Sequence, residues 1–172
     1  MGAFYRNSHA VEGAFASYNP RFQILAGQGA LVANPAGVAI GRFAWADLTA
    51  GLVYSAQQHA TDVLGFVYRP SLDNQYWPTY DWRRTYWDRT QRAWISRGGF
   101  ELTLARRGDF WARFLGGAYI GQDVYANVLD GSCAAFNRGT GPVTGYVQTP
   151  WQTVSESAPG ELSIISSWSF FS

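Results

Sequence analysis

Apolar and polar residues alternate over several short stretches of this chain. Residues 100–104 place three apolar side chains on one face of an extended strand, and residues 143–147 are typical of a short strand. A third run near the C-terminus puts four apolar side chains on one face: Leu162, Ile164, Trp168 and Phe170. Frequent Gly and Pro interrupt any helical periodicity. The pattern predicts an all-β fold, a jelly-roll-like sandwich or barrel.

A repeat with an offset of 80 positions relates residues 37–70 to residues 117–150. Nine of the 34 aligned positions are identical, where chance gives about two or three. The identical residues of the first copy are Gly37, Ile40, Gly41, Ala46, Gly51, Val63, Gly65, Val67 and Pro70. We therefore predict two equivalent strand–turn–strand units, with Gly41 matching Gly121 and Gly65 matching Gly145, within a single β domain over residues 1–172.

Residues 71–98, between the two copies, form a predicted insertion of different character. Pro78 blocks a regular helix there, and a long loop in a compact domain is usually functional or disordered. Trp, Tyr and Arg are the residues that dominate interface hot spots, so we predict a protein–protein interface. The candidate residues are Tyr76, Trp77, Tyr80, Trp82, Arg83, Arg84, Tyr86, Trp87, Arg89, Arg92 and Trp94.

Three other interpretations of this segment stay open. Stacked aromatic rings with Arg can bind nucleic acid, an aromatic platform can bind carbohydrate, and the rings can form an internal cluster with no partner. The formal net charge of +1 counts against a nucleic-acid partner.

The amino-acid composition of the whole chain also favours a protein interface. Charged residues make up 15% and aromatic residues 17% of the chain, and all 13 basic residues are Arg. This bias is typical of protein interface cores, although a biased genome also produces Arg in place of Lys. Cys133 is the single cysteine, which excludes an intramolecular disulfide and a multi-cysteine zinc site.

Candidate chemistry is sparse, so we predict that the protein is not an enzyme and needs no cofactor or metal. The two histidines are His9 and His59, and no nucleophile elbow or phosphate-binding loop occurs. Two carboxylates suffice for a glycosidase, and four residues are candidates, but turn and surface roles are expected for all of them: Asp81, Asp88, Glu101 and Asp109. The adhesion-like tripeptide Arg107-Gly108-Asp109 lies between two predicted strands, where we expect a turn.

Targeting signals are also lacking. Residues 1–6 have no apolar run of the kind found in signal peptides, and no stretch approaches the length of a membrane-spanning helix. We expect synthesis in the cytoplasm and no membrane partner.

Several motifs in order resemble the structural cement proteins that decorate the heads of tailed bacteriophages. They are residues 38–47, 65–69, 99–104, 108–114 and 121–127, followed by Asp130-Gly131. The resemblance spans about residues 10–168 and implies a jelly-roll-like subunit that assembles as a homo-oligomer and clamps neighbouring major capsid proteins of HK97-like fold. It supplies no catalytic residues. The insertion over 71–98 is longer and more aromatic than the family pattern.

The leading hypothesis is therefore a non-enzymatic cement protein on the outside of the virion capsid, a homodimer in preference to a trimer, without direct contact to nucleic acid. The alternative is a carbohydrate-binding or host-adhesion module on the virion surface. A third interpretation, an outer-membrane barrel, is suggested by the terminal Trp168-Ser169-Phe170-Phe171, and the missing signal peptide argues against it.

Overall fold

A computed structural model describes residues 10–24, 31–69 and 84–168 of the chain. These residues contain strands and no helix, which confirms the predicted all-β class. The strands of the N-terminal half are β1 (Phe22–Ile24), β2 (Val32–Ala33), β3 (Val38–Ala39), β4 (Phe43–Asp47), β5 (Leu52–Tyr54), β6 (Val63–Val67), β7 (Thr85–Asp88) and β8 (Ala93–Ser96). They are followed by β9 (Leu104–Arg107), β10 (Asp109–Phe114), β11 (Asp123–Asn127), β12 (Cys133–Phe136), β13 (Tyr146–Thr153) and β14 (Glu161–Ser166).

The C-terminal strands form a closed barrel in the order β10-β12-β11-β13-β14. Strand β10 closes it by pairing along its whole length with β14, from Asp109–Ser166 to Phe114–Glu161. Phe110, Ala112 and Phe114 alternate inward along β10, the period of two expected of a strand with one buried face. We call strands β10–β14 the second unit.

The N-terminal strands form a curled sheet in the order β1-β9-β6-β4-β5-β2. Residues 99–102, just before β9, bond back to the opposite edge of this sheet. Ala33 N donates to Phe100 O at 3.0 Å, and Leu102 N donates to Leu31 O at 3.0 Å. The sheet therefore curls until its ends almost meet. We call β1–β6 and β9 the first unit.

Strand β4 is apolar on both faces because it lies between two cores. Phe43 and Trp45 pack into a cluster shared by the two units, which includes Phe110, Phe114 and Trp151. Ala44 and Ala46 face a second cluster inside the first unit, with Ile24, Val38, Ile40, Val53, Val67 and Leu104. A strand buried on both faces is a near-continuous apolar run, which is the sequence observed in β4.

The early part of the repeat has matching geometry in the two units. Gly41 and Gly121 have φ angles of +81° and +83°, and Gly51 and Gly131 both have +68°. The turn after β4 is capped by the Asp47 side chain and the turn after β11 by that of Asn127, each accepting a backbone N–H two residues later. These left-handed positions favour glycine, which has no Cβ to clash. The single-domain organisation stays a prediction.

The predicted match of Gly65 with Gly145 is wrong. Ala46 of β4 pairs with Val63, whereas its counterpart Ala126 of β11 pairs with Val147, so the third strands are offset by 84 positions rather than 80 at this point. Gly65 therefore lies within β6, while Gly145 lies in the turn before β13 with φ +83°. The sequence identities at Val63, Gly65 and Val67 do not align equivalent residues.

Candidate interaction surface

The predicted aromatic and Arg-rich insertion is described from residue 84 onward. Its first five candidates, Tyr76, Trp77, Tyr80, Trp82 and Arg83, lie outside the described residues. The other six are on or beside a hairpin made of β7 and β8, which joins β3 to form a three-stranded sheet in the order β3-β8-β7. They are Arg84, Tyr86, Trp87, Arg89, Arg92 and Trp94.

The hairpin turn is built by Asp88 and Arg92. The Asp88 carboxylate accepts the backbone N–H groups of Thr90 at 2.7 Å and Gln91 at 2.9 Å, an Asx-type turn that the short side chain favours. Arg92 has a φ angle of +49°, a left-handed conformation that is uncommon for a residue with a Cβ. The turn thus brings Trp87 and Trp94 into opposite positions on neighbouring strands.

One face of the hairpin packs onto the first unit. Ala93 and Ile95 are buried against Ala39 of β3, and Tyr86 packs against this cluster. Trp94 packs against the core of the first unit, and its carbonyl accepts the N–H of Ile40 at 2.8 Å. Two of the predicted interface aromatics, Tyr86 and Trp94, therefore anchor the hairpin.

The outer strand of the hairpin, β7, carries an aromatic side chain that is open to solvent. Trp87 is 44% exposed, shares one face of the hairpin with Trp94 and meets it edge to face, with ring centroids 5.7 Å apart. Arg84, Arg89 and Arg92 are exposed on the same hairpin, and the Arg84 guanidinium lies 5.8 Å from the centre of the Phe100 ring. Within the described part of the chain β7 pairs with β8 alone, so its outer edge offers backbone groups to a partner. We call Trp87 with Arg84, Arg89 and Arg92 the hairpin face.

Arg42, which no sequence motif distinguishes, ties this hairpin to the rest of the protein. One guanidinium nitrogen donates to Gln91 O in the hairpin turn at 2.5 Å, and another lies 3.5 Å from the Asp130 carboxylate of the second unit. Arg42 directly follows Gly41, and its contacts join segments 49 and 88 positions away. No local pattern could identify such contacts.

A buried charge cluster lies where the N-terminal segment passes between the two units. The Glu12 carboxylate accepts from Arg113 Nε at 3.1 Å, and its backbone carbonyl accepts from Arg69 Nε at 2.6 Å. Burial raises the pKa of Glu12 above its ordinary value, with the Arg113 guanidinium opposing the shift. Burial also lowers the pKa of Arg69 to about 10. Each charged group is paired, as buried charges require, so the cluster is structural.

The other candidates for chemistry are held inside the fold. Burial raises the pKa of the Cys133 thiol far above its ordinary value, so the thiolate is disfavoured. Asp109 of the adhesion-like tripeptide is buried and accepts from Ser17 Oγ and Asn19 Nδ2, both at 2.6 Å. It is the first residue of β10 rather than part of a turn, and Gly108 alone separates the strands. Its carboxylate is not presented to a receptor.

Metal-ligating side chains are not clustered in the part of the chain that the structure describes. No group of three or more His, Cys, Asp or Glu side chains is placed there to hold a metal ion. Over the same ranges, no helix is long and apolar enough to cross a membrane.

Comparison with known proteins identifies the family. A model of the XM1 gp53 minor capsid protein family matches residues 3–167, nearly the whole chain. Among solved structures, a chain in the capsid of Myoviridae phage XM1 has a similar fold, with a TM-score of 0.58 and 17% sequence identity over 98% of this chain and 97% of that chain. No curated protein sequence matches. The chain belongs to the XM1 gp53 minor capsid protein family and is an accessory protein of the phage virion.

Proposed function

We propose that this protein decorates the outer surface of the phage head and bridges neighbouring major capsid proteins of HK97-like fold, which stabilises the DNA-filled shell. Its family and its fold support an accessory role in the capsid. Many attached copies would each bury a modest surface and act together through avidity. Such a role requires no catalysis and no cofactor.

The hairpin face is the observation that carries this proposal. A large aromatic side chain that is 44% exposed, on a hairpin with three exposed Arg residues, is an unusual use of solvent-facing surface. The strand that carries Trp87 pairs with β8, which is anchored in the first unit, so the backbone of Trp87 is already ordered before binding. Arg forks beside it can bind carboxylates or backbone carbonyls. The face is suited to an intermolecular contact, to the capsid or to a sister copy.

Rebinding to heads that lack the protein tests the proposal. Trp87→Ala combined with Arg84→Ala should weaken attachment about 30-fold, the equivalent of a hot-spot loss of about 2 kcal/mol. Leu129→Ala, at a turn residue that is 77% exposed, is the matched control and should bind as the wild type does. Copies per head and the heat resistance of the heads are the two readouts.

Full occupancy with unchanged heat resistance for the double variant would contradict the assignment of this face. The alternative adhesion module predicts a different result, in which heads carry the variant normally but particles lose binding to a glycan or a cell surface. The edge-to-face arrangement of Trp87 and Trp94 does not form the flat platform that sugar rings stack upon.

A further inference from the structure

A patch of exposed apolar residues occupies the connection between β10 and β11. Leu115, Tyr119 and Ile120 are 65%, 70% and 52% exposed, three large apolar side chains within six positions. We call them the 115–120 patch. Single exposed apolar residues are ordinary, but a group of this kind marks a contact surface.

The first unit shows how the same position can be covered. The counterparts of Tyr119 and Ile120 at the repeat offset are Ala39 and Ile40, which are only 1% and 7% exposed. They are covered because β8 pairs with β3, with Ala39 opposite Ile95, and because Trp94 O accepts the Ile40 N–H. The hairpin of β7 and β8 thus covers this surface of the first unit.

The second unit has no hairpin at that place. Between β13 and β14 it has only residues 154–160, and one isolated bridge joins Ala118 to Ser157. In that bridge Ala118 N donates to Ser157 O at 3.0 Å, and Ser157 N donates to Ala118 O at 2.9 Å. The bridge leaves the side chains of Tyr119 and Ile120 uncovered. The 115–120 patch is therefore the uncovered equivalent of a surface that binds a hairpin elsewhere in the same chain.

The 115–120 patch has acidic residues at its rim. Exposed Glu156 precedes the bridged Ser157, and exposed Glu161 follows Gly160, whose N–H bonds to Phe114 O beside Leu115. One oxygen of the Glu161 carboxylate accepts the backbone N–H of Ala158 at 3.2 Å. Arg113 is the nearby cation in β10, and its guanidinium is bound to Glu12 and to Gly160 O. Arg138 is the residue after Asn137, whose side chain accepts a hydrogen bond from the side chain of Gln122.

The hairpin face carries the opposite charge. Arg84, Arg89 and Arg92 are exposed on the same hairpin as Trp87, and the carboxylate of Asp88 in the turn accepts backbone N–H groups. An aromatic side chain with a basic rim thus matches an apolar patch with an acidic rim. Complementary charges at the rims of two surfaces increase the rate at which the surfaces associate and fix their relative orientation.

We propose that the 115–120 patch of one copy binds the hairpin face of a second copy. Trp87 packs on Tyr119 and Ile120, and the Arg side chains approach Glu156 and Glu161. This deepens the proposed function and rests on it, because contacts between copies would link those that sit on neighbouring capsid proteins. Reciprocal exchange of hairpin and patch gives a two-fold dimer, and one-way contact gives a ring or a chain.

A mixing experiment tests this contact with two full-length variants. The first removes the hairpin face through Trp87→Asp with Arg89→Glu, and the second removes the patch through Tyr119→Asp with Ile120→Asp. Each should be a monomer by sedimentation at micromolar concentration, while the wild type and a Leu129→Asp control assemble. An equimolar mixture of the two variants should form a one-to-one complex, because one intact hairpin face still meets one intact patch.

A second pair of variants, in which opposite charges are exchanged between the two surfaces, tests the contact without changing Trp87. Arg89→Glu and Glu156→Arg lie at exposed positions and should each weaken assembly, and mixing the two single variants should restore most of it. A mixture that stays monomeric, or a wild-type chain that is monomeric at this concentration, overturns the proposal. Head binding measured on the same samples separates the two proposals, since a monomeric chain that still fills heads leaves the decoration function standing.

Discussion

Strands β4 and β11 each follow a glycine with a left-handed backbone, yet the residues just before that glycine are buried in the first unit and exposed in the second. The difference does not arise in the repeat itself. It arises between β6 and β9 of the first unit, where the chain carries a hairpin, and between β13 and β14 of the second unit, where it carries seven residues, 154–160. The burial of the residues before this glycine thus depends on whether a hairpin is inserted later in the same unit.

The two units also differ in the backbone contacts of the glycine in their second turn. In the first unit the Gly51 carbonyl accepts the N–H of Val32 at 2.9 Å, a contact within that unit. In the second unit the equivalent Gly131 carbonyl accepts the N–H of Phe43 at 2.9 Å, which belongs to the first unit. Phe43 enters the shared core beside Trp151, with ring centroids 5.4 Å apart. Gly131 therefore marks the joint between the units.

The largest expected effect comes from breaking this joint with Gly131→Ala. A Cβ at this position would overlap the carbonyl oxygen of Phe43, on a backbone with φ +68°. The left-handed strain and the clash together should cost about 4 kcal/mol in the free energy of unfolding, measured by urea denaturation. Gly145→Ala is the control, because φ is +83° there but no atom lies within 4 Å of the added Cβ. It should cost about 1–2 kcal/mol, and equal losses in the two variants would show that no joint exists.

A matched pair of substitutions at Ile40 and Ile120 sharpens the contrast in burial. Ile40→Ala removes a side chain from the core of the first unit and should cost roughly 3 kcal/mol. Ile120→Ala changes a side chain that is 52% exposed and should stay within about 0.5 kcal/mol in the isolated subunit. Urea midpoints at subunit concentrations below assembly give both values. Similar losses at the two positions would mean that the second surface is covered within one chain.

The smallest effect concerns the pH dependence of the Glu12 cluster between the units. Burial places the folded-state pKa of Glu12 above its ordinary value, so the folded state binds the proton more tightly than the unfolded state. The contribution of Glu12 to stability is therefore present below the unfolded pKa and lost as pH rises through the folded pKa. The stability advantage of the wild type over Glu12→Gln should shrink in urea titrations as the pH rises above the ordinary pKa of Glu. An advantage that grows with pH would mean that Arg113 outweighs burial.

Much of the first half of the repeat could be predicted from sequence because its geometry is local. Gly41, Gly51 and their counterparts have positive φ angles, a conformation that favours glycine. The side chains of Asp47 and Asn127 each accept the backbone N–H two residues later and so cap a turn. The match failed at Gly65 because an extra four residues shift the register of β13, and register depends on pairing with a distant strand. A constant offset does not detect such a shift.

The candidate interface could be predicted only in part for the same reason. Aromatic and Arg enrichment sets residues 71–98 apart in the sequence, but enrichment does not distinguish an anchoring ring from an exposed one. Trp87 and Trp94 are alike in sequence context and share one face of the hairpin as an opposed pair. Trp94 lies on the central strand β8 and packs against the core, whereas Trp87 lies on the outer strand β7 and is 44% exposed. Tyr119 and Ile120 belong to the repeat, and no pattern in the sequence marks them as a surface.

The sequence by itself determined the all-β class, the left-handed turns and the family, because these depend on residue type, short spacing and motif order. Tertiary structure alone decided which apolar residues are covered and which aromatic ring of the hairpin is exposed. It also decided which distant segments are joined by the contacts of Arg42 and Glu12. These outcomes depend on segments far apart in the chain. The physical reason is that burial is a property of the neighbours a residue acquires on folding, whereas backbone preference is a property of the residue itself.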